Sequence, residues 1–412
     1  MTAHRARRQF WTYWTASTTS SVGSAVTAVA LPLTAVLVLH AGPAEMGLLT
    51  AGAYVAWLVV GLPAGAIIRR LPLRGLQVTL DLTRALAVAS VPAAWGLGWL
   101  TFGQLLAVAL VISFANVFFD VASMTFLPRV VPREQLHARN SLMSGSGSAT
   151  ELGGPSLGGV LVQVLGAPVA LLADTASYVV SAALLRTLPA TTADSTDTAA
   201  PLRAQVRDGW RFVVRHPVIG PCMWSAAVTN FACGGQMALF AVYLVRSLHV
   251  PAGLIGVLLA AQGAGGLFGA AACPRLTRAA GSARACLGGS IVIVVGMALI
   301  PQGTGLAALI AFAAGNILFG LGVVLLSTTT RTYRQVASPP ELLSRVMATV
   351  RFVSWGMIPL GGLACGALAG WVGARNTLLA LALVSVLAPL VLTLSPVRWL
   401  RDLEAGELRG GP

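Results

Sequence analysis

Long apolar runs separated by short polar segments alternate along the whole chain. A helix needs about 20 predominantly apolar residues to cross a bilayer, and twelve runs are long enough. They span residues 10–38, 44–68, 76–100, 103–127, 141–165, 167–188, 217–246, 252–274, 284–301, 304–328, 343–370 and 372–394. The pattern predicts an all-α integral membrane protein with twelve transmembrane helices.

The composition supports a bilayer as the solvent of this chain. Of its 412 residues, 56% are hydrophobic and only 10% are charged, whereas a soluble domain carries about 25% charged residues. The formal net charge of +14 is compatible with a nucleic-acid partner, but the basic residues, all arginines, lie in short clusters between the apolar runs. That distribution indicates contact with anionic lipid headgroups. We therefore expect membrane lipid, and no nucleic acid, as a partner.

The arginines also indicate the orientation of the twelve helices. The N-terminus, the even-numbered connections and the C-terminus together hold 23 of the 27 arginines, whereas the odd-numbered connections hold only Arg246 and Arg375. Positively charged loops stay on the cytoplasmic side of a membrane. Both termini are therefore predicted to be cytoplasmic, in a multi-pass protein of the cell membrane, expected to be the inner membrane of a bacterium.

The chain contains an internal repeat of about half its length. LHAGPAEMGLLTA from Leu39 returns as LHVPAGLIGVLLA from Leu248, and GAPVALLA from Gly166 returns as GARNTLLA from Gly373, at offsets of 209 and 207. The repeat predicts two six-helix halves and no separate domain between them. The predicted parts are the N-terminal half 1–188, a cytoplasmic linker 189–215 with an amphipathic helix, the C-terminal half 216–396 and a cytoplasmic tail 397–412.

Four segments carry more specific patterns. They are SSVGSAVTAVALPL in helix 1, the block Phe119–Leu142, GPSLGG in helix 5 and RDGWRFVVRHPVI at the end of the linker. Together they resemble the major facilitator exporters of the enterobactin-exporter and macrolide-efflux type. The resemblance covers essentially the whole chain and implies the major facilitator fold, with a substrate site between the two halves. Ser24 and Arg69 stand where this family usually has acids, so that only Gly65 and Arg70 match the motif between helices 2 and 3.

The GPSLGG segment places glycines and a proline in the middle of a predicted membrane helix. Glycines four residues apart form a smooth face on which another helix approaches closely, and neighbouring helices let a proline bend the chain. The segment also resembles the superfamily's antiporter motif, which favours a hinge at the gate; tight packing without movement is the alternative. The predicted gate or hinge residues are Gly65, Arg70, Asp81, Arg84, Gly154, Pro155, Gly158 and Gly159.

Two acids inside the predicted helices are candidates for proton coupling, Glu151 and Asp120. An ionised acid at the centre of a membrane helix costs about 2.5–3.5 kcal/mol, so Glu151 is expected to be protonated, paired with an arginine or in contact with a watery cavity. The alternative for Glu151 is a structural hydrogen bond, and for Asp120 a structural role at the cytoplasmic gate. Asp174 in helix 6 is predicted to be a structural hydrogen-bonding residue.

Helices 1, 4, 7 and 10 line the cavity in the family that the chain resembles. The candidate substrate contacts on them are Ser17, Ser20, Ser24, Thr27, Asn116, Phe118, Asn230, Gln236 and Asn316. Hydroxyl groups in helices often bond their own backbone, which is the alternative for each serine and threonine. The phenylalanines of helix 4, with Phe231 and Phe240, suit an amphipathic organic substrate, and helix packing is the alternative for them.

The sequence contains no catalytic or nucleotide-binding motif, and its five cysteines lack the spacing of a metal site. We therefore expect neither an enzyme nor a cofactor, and an ion gradient as the energy source. The chain is predicted to be a monomeric transporter that exports an amphipathic small molecule, such as an antibiotic, a siderophore or another secondary metabolite, in exchange for protons. The alternatives are proton-coupled uptake of a polar nutrient and a non-transporting membrane assembly protein.

The predicted orientation is tested with alkaline phosphatase, a reporter active only outside the cytoplasm, fused after Pro412. Because most arginines lie on the side of the two termini, we expect this fusion to show only background activity. The same reporter inserted after His249, in an odd-numbered connection, serves as the positive control. Strong phosphatase activity of the Pro412 fusion would contradict the orientation.

Overall fold

The computed structural model describes residues 3–61, 63–68, 71–131, 135–189 and 202–403. These residues are nearly all helical, with no strand among them. By length and composition, nine helical segments within these ranges are suited to cross a membrane. The predicted all-helical membrane class is confirmed, whereas the count of twelve spans and the side of the termini remain predictions.

Fifteen α-helices occupy the described ranges. Those of the first half are α1 (Ala3–Leu37), α2 (Pro43–Val59), α3 (Ala64–Ile68), α4 (Leu73–Gly96), α5 (Phe102–Val130), α6 (Leu136–Leu165) and α7 (Ala167–Arg186). The others are α8 (Leu202–Arg215), α9 (Ile219–Val242), α10 (Ala252–Ala280), α11 (Ser282–Leu299), α12 (Gly305–Ala337), α13 (Pro340–Val372), α14 (Ala374–Ser385) and α15 (Leu387–Thr393). A π-helical turn, Tyr243–Ser247, prolongs α9. Predicted helices 3–6 are therefore α4–α7, and predicted helices 7–11 are α9–α13.

Two predicted spans are divided in the structure. The span predicted over 44–68 is interrupted between Val59 and Ala64, because Pro63 cannot donate a hydrogen bond to the carbonyl four residues earlier, that of Val59. The span predicted over 372–394 is interrupted at Val386, because Pro389 cannot donate a hydrogen bond to the carbonyl four residues earlier, that of Ser385. Hydropathy detects both spans but does not detect these breaks.

The chain forms two compact units. The first comprises Met1–Ala41, Gly52–Asp197 and Val250–Ala260, and the second comprises Gly42–Ala51, Thr198–His249 and Ala261–Pro412, as far as the chain is described. Each unit therefore contains a short segment from the other sequence half. Both of these segments lie within the repeated motifs, the first in LHAGPAEMGLLTA and the second in LHVPAGLIGVLLA. The predicted division into halves stays a prediction.

Different helix pairs form the core of each unit. In the first unit α7 packs against both α1 and α4, and α6 packs against α1. In the second unit α9 packs against α13, and α11 packs against α12. The first unit also buries large aromatic side chains on α1 and α5, among them Phe10, Tyr13 and Phe126.

His216 forms the corner between α8 and α9. Its Nδ1 accepts hydrogen bonds from the backbone N–H groups of Val218 and Ile219, both at 3.2 Å. These groups lie at the start of α9, where a helix leaves N–H donors without intrahelical partners. Burial lowers the pKa of His216, so the neutral imidazole that this cap requires is the favoured form.

Replacing His216 by asparagine is expected to flatten the pH dependence of stability. The unfolded chain takes up a proton near the ordinary histidine pKa of about 6.5, whereas the folded chain resists protonation to lower pH. The contribution of this cap is therefore complete above that pH and is lost as the pH falls below it. Asparagine still offers an acceptor at the helix start but does not titrate. We expect the unfolding temperature of His216→Asn to fall less than that of the parent between about pH 7.5 and about pH 5.5; equal slopes would contradict the assignment.

Candidate functional site

A buried polar network in the first unit is centred on Arg84 of α4. The Arg84 guanidinium pairs with the carboxylate of Asp81, one turn earlier, and donates a hydrogen bond to Oδ1 of Asn116 on α5 at 2.8 Å. The ring centroids of Phe119 and Tyr178 lie 4.3 and 4.5 Å from its Cζ. An acid, an amide and two ring faces thus compensate the desolvation of this cation. The Asp81–Arg84 pair expected from the spacing is present.

Helix α7 contacts the same network through two side chains. The Ser181 hydroxyl donates a hydrogen bond to Oδ2 of Asp81 at 2.7 Å. The Tyr178 hydroxyl lies 2.9 Å from Oγ of Ser24 on α1. The network therefore connects α1, α4, α5 and α7.

Asp174 of α7 is fully buried against α1. Its Oδ2 accepts a hydrogen bond from Thr27 at 2.5 Å, and its Oδ1 accepts one from Ser177 at 3.0 Å. A Cβ added to Gly23 of α1 would lie only 2.6 Å from the Ser177 Cβ, so this glycine permits the close approach of the two helices. The geometry favours the structural hydrogen-bonding role expected for Asp174.

The sequence reasoning recognised Asp174 but missed the other polar residues of α7. Asp174, Ser177, Tyr178 and Ser181 follow the spacing i, i+3, i+4, i+7, which places them on one face of a helix. All four are buried. This helical periodicity of polar residues within an apolar segment is the sequence signal that would have identified α7 as part of the network.

Three predicted substrate contacts of the first unit form hydrogen bonds with other side chains of the same unit. Ser24 contacts Tyr178, Thr27 donates to Asp174, and Asn116 accepts from Arg84. These contacts favour a structural role for the three side chains over substrate binding. Ser20 is also buried.

Two further predicted contacts of the first unit remain partly accessible. They are Ser17 and Phe118. The Ser17 carbonyl accepts a hydrogen bond from the Ser21 hydroxyl at 2.9 Å, and Phe118 packs at the edge of the aromatic core.

The predicted contacts of the second unit are also largely buried. Gln236 of α9 directs its Nε2 at Sδ of Met297, and Nδ2 of Asn316 on α12 donates to the Phe312 carbonyl at 3.0 Å. Oδ1 of Asn316 has no hydrogen-bond partner among the described residues. Asn230 of α9 is half-buried and remains accessible in part.

The two proton-coupling candidates lie on exposed surface. Glu151 is exposed near the middle of α6, and Asp120 is exposed in the second half of α5. A Cβ added to Gly147, one turn before Glu151, would find no atom within 4 Å. The surface of α6 around Glu151 is therefore open, unlike the surroundings of Asp81 and Asp174.

The glycines after Glu151 face a neighbouring helix directly. A Cβ added to Gly154 would overlap the side chain of Ala25 on α1, and one added to Gly158 would lie 3.2 Å from the Val26 Cα and the Val29 Cβ. In a bilayer such small residues allow helices to pack at close range. This face of α6 is thus a close contact with α1.

Gly159 makes a second contact, with the start of α10. Its added Cβ would lie 2.7 Å from the Cα of Gly256, and the Pro155 carbonyl also faces Gly256. The side chain of Gln163 accepts a hydrogen bond from the Gly253 N–H at 2.9 Å. Helix α6 therefore packs against α1 on one face and α10 on another.

The internal repeat reproduces this contact inside the second unit. A Cβ added to Gly366 of α13 would lie 2.8 Å from the Cα of Gly47 on α2. Gly47 and Gly256 are 209 residues apart, and Gly159 and Gly366 are 207 apart, which are the two repeat offsets. Both copies of the repeat thus conserve the same glycine–glycine crossing within one chain.

Of two further predicted gate residues, the structure describes only one. Gly65 lies in the short helix α3, and Arg70 lies outside the described residues. Nearby, Nη1 of Arg74 donates a hydrogen bond to the Leu188 carbonyl at 2.8 Å, which joins the start of α4 to the residues after α7.

Comparison with known proteins identifies similar chains along nearly the full length. Residues 3–408 match the family model described as transmembrane secretion effector. The multidrug efflux pump Tap of Mycolicibacterium fortuitum is 27% identical over 406 residues, which cover 93% of this chain and 94% of Tap. The uncharacterized MFS-type transporter YvqJ of Bacillus subtilis (strain 168) is 23% identical over 355 residues, which cover 84% of this chain and 83% of YvqJ.

Solved transporter structures share the fold. The nucleoside transporter NupG matches with a TM-score of 0.74 at 11% identity, covering 94% of this chain and 98% of that chain. A bacterial homologue of the iron transporter ferroportin in its inward-facing state matches with a TM-score of 0.74 at 18% identity, covering 95% and 98%. The major facilitator fold expected from the sequence is confirmed.

The contact at Gly158 is tested by replacing this glycine with leucine. The added side chain must enter the space held by Val26 and Val29, and overpacking of this kind typically costs about 1–3 kcal/mol. Gly153→Leu is the matched control, because a Cβ at Gly153 would find no atom within 4 Å. We expect a lower unfolding temperature for Gly158→Leu only, measured on purified protein in detergent. Equal unfolding temperatures of the two variants would contradict the contact.

Proposed function

The chain belongs to the transmembrane secretion effector family of major facilitator transporters, and on that premise we propose that it exports an amphipathic small molecule in exchange for protons. It is a multi-pass transporter of the cell membrane. Export is supported by its similarity to Tap, whose name describes a multidrug efflux pump.

The name of this relative supports a drug as the class of substrate, and its amphipathic nature is our own hypothesis. Two of the candidate aromatic side chains are buried within the units: Phe240 lies against Phe312 at 4.8 Å between ring centroids, and Phe119 lies against Arg84. Their packing does not argue for or against a particular substrate.

The observation that carries proton coupling is the position of Glu151. This acid is exposed near the middle of the 30-residue helix α6. In the predicted span 141–165, an ionised carboxylate facing lipid at the position of Glu151 would cost about 2.5–3.5 kcal/mol. A carboxyl group there is therefore stable when it is protonated or when it faces water, and alternation between these two conditions binds and releases a proton.

The buried acids are less suited to exchange protons with water. Asp81 and Asp174 have no exposed surface, and each uses both carboxylate oxygens in hydrogen bonds. Asp120 is exposed like Glu151 and is the second candidate. We infer that the buried pair holds the helices together and that the exposed pair includes the proton carrier.

The location of Glu151 also provides a route from protonation to movement. Glu151 lies seven and eight residues before Gly158 and Gly159, a distance of about 10–12 Å along the helix. These glycines hold α6 against α1 and α10. A change of charge at Glu151 is proposed to shift α6 along these smooth contacts, which is how the segment would act as a gate.

Substitution Glu151→Gln tests the proton carrier. Glutamine preserves the shape and much of the hydrogen bonding but does not titrate. In proteoliposomes with an imposed pH gradient, the parent is expected to move a compound from an amphipathic dye and antibiotic panel against its gradient. The variant is expected to lose this uphill transport, because a side chain that binds no proton cannot couple the pH gradient to movement of the compound, while downhill exchange of the same compound persists.

The control is Glu151→Asp, which retains a titratable carboxyl group and is expected to keep uphill transport. If Glu151→Gln pumps as well as the parent, Glu151 is not the carrier, and Asp120→Asn becomes the next variant to measure. If the parent moves no compound of the panel in response to the pH gradient, proton-coupled export itself fails.

A further inference from the structure

We propose that α8 and the start of α9 form a binding site for the phosphate group of an anionic phospholipid. A cavity of about 560 Å³ lies at this corner of the second unit. Its lining includes Arg211, Arg215, His216 and Phe212. The site is separate from Glu151, and its occupancy does not depend on the direction of transport.

The cavity is bordered by a basic stripe along α8. Arg207, Arg211 and Arg215 follow one another at intervals of four residues, and all three are exposed. Side chains at this spacing lie on one face of a helix, about 6 Å apart along its axis. Arg211 and Arg215 form no hydrogen bond or ion pair with the residues that the structure describes, so both guanidinium groups are available to an anion.

The single acid in the lining does not cancel this charge. Oδ2 of Asp208 accepts a hydrogen bond from Arg345 of α13 at 3.1 Å, and its Oδ1 lies 3.8 Å from Nε of Arg207. Asp208 is thus paired outside the Arg211–Arg215 couple. The couple keeps its positive charge, and phosphate is an anion that guanidinium groups bind in a bidentate geometry.

Contacts with α13 on the side of the salt bridge hold α8 in one orientation. Gly209 is buried against α13, where an added Cβ would lie 2.8 Å from the Arg345 carbonyl oxygen. Val213, one turn later, is fully buried. With this face held against the protein, the basic stripe is directed away from it.

An apolar stripe beside the arginines identifies the ligand as a lipid. Trp210 and Val214 each precede one of the two arginines, and they are 42% and 48% exposed. A helix that leaves apolar and basic residues uncovered side by side has the pattern of a helix lying at a membrane surface, where tryptophan is enriched. A lipid offers both an acyl chain to the apolar stripe and a phosphate to the basic stripe, whereas free phosphate offers only the second.

The N-terminal half contains a second cavity of similar composition. It measures about 450 Å³ and lies at the start of α1, lined by Arg7, Arg8 and Trp11 among others. The repeat offset of 207 brings Arg8 onto Arg215. The orientation predicted from the arginines places both cavities on the cytoplasmic side. Recurrence of a basic cavity in both repeats supports a shared lipid-binding role.

The site is tested by native mass spectrometry of the full-length protein. The purified chain is titrated with an equimolar mixture of phosphatidylglycerol and phosphatidylcholine that carry the same acyl chains. We expect preferential retention of phosphatidylglycerol by the parent. Each arginine near an anionic lipid is expected to contribute about fivefold, so the double variant Arg211→Gln/Arg215→Gln should weaken phosphatidylglycerol binding by about 25-fold.

The charge-matched control is Arg275→Gln/Arg284→Gln, which changes two exposed arginines of α10 and α11 outside the cavity. It is expected to bind phosphatidylglycerol like the parent. Arg211→Lys/Arg215→Lys retains the charge and should keep most of the preference. If the glutamine double variant does not fold, the single variants are measured, each with an expected loss of about fivefold.

Three results would overturn the proposal. One is equal retention of both lipids by the parent, and another is an equal loss of phosphatidylglycerol in the control and in the cavity variant. The third is displacement of phosphatidylglycerol by added inorganic phosphate, which would assign the cavity to a free anion. Retention that resists inorganic phosphate and depends on Arg211 and Arg215 supports the lipid site.

Discussion

Direct contact between helix backbones is the constraint on which the packing of both units depends. Lipid tails are as apolar as leucine, so burial of apolar side chains does not drive helices together in a bilayer, and close van der Waals contact must do so. Between α11 and α12, for example, a Cβ added to Gly296 would lie 2.6 Å from the Gly315 carbonyl oxygen. A side chain larger than hydrogen at such positions would separate the helices. Many of the frequent glycines, which indicate breaks in a soluble helix, lie here at such contacts.

The same environment determines how charge is accommodated inside the first unit. Arg84 is stable in the interior because Asp81, Asn116 and two aromatic rings surround it. Removing one partner of such a cluster leaves a buried charge without compensation, which is more costly than never having buried it. The cluster therefore links four helices, α1, α4, α5 and α7, in a single arrangement that does not include α6.

The parts of this protein that follow from local pattern could be predicted from its sequence. Apolar run length located the membrane helices, and the spacing of Asp81 and Arg84 predicted their pair. Two breaks were missed because hydropathy averages over Pro63 and Pro389. The hydrogen-bond partners of Ser24 and Thr27 were also missed, because they depend on which helix packs against that face of α1. That partner is α7, and its polar face, from Asp174 to Ser181, is apparent only when helical periodicity is applied to polar residues as well as apolar ones.

The two copies of the repeat share a helix-packing contact but differ in their acidic residues. Both copies contain the glycine crossing, at Gly159–Gly256 and at Gly47–Gly366. Five acids lie within predicted membrane spans, and no predicted span of the second half contains one; those of the first half are Glu45, Asp81, Asp120, Glu151 and Asp174. The two copies thus share a helix contact but differ in the acids they contain. On the proposed proton coupling, the carrier is therefore expected among the five acids of the first half, of which the two fully buried ones, Asp81 and Asp174, already use both carboxylate oxygens in hydrogen bonds.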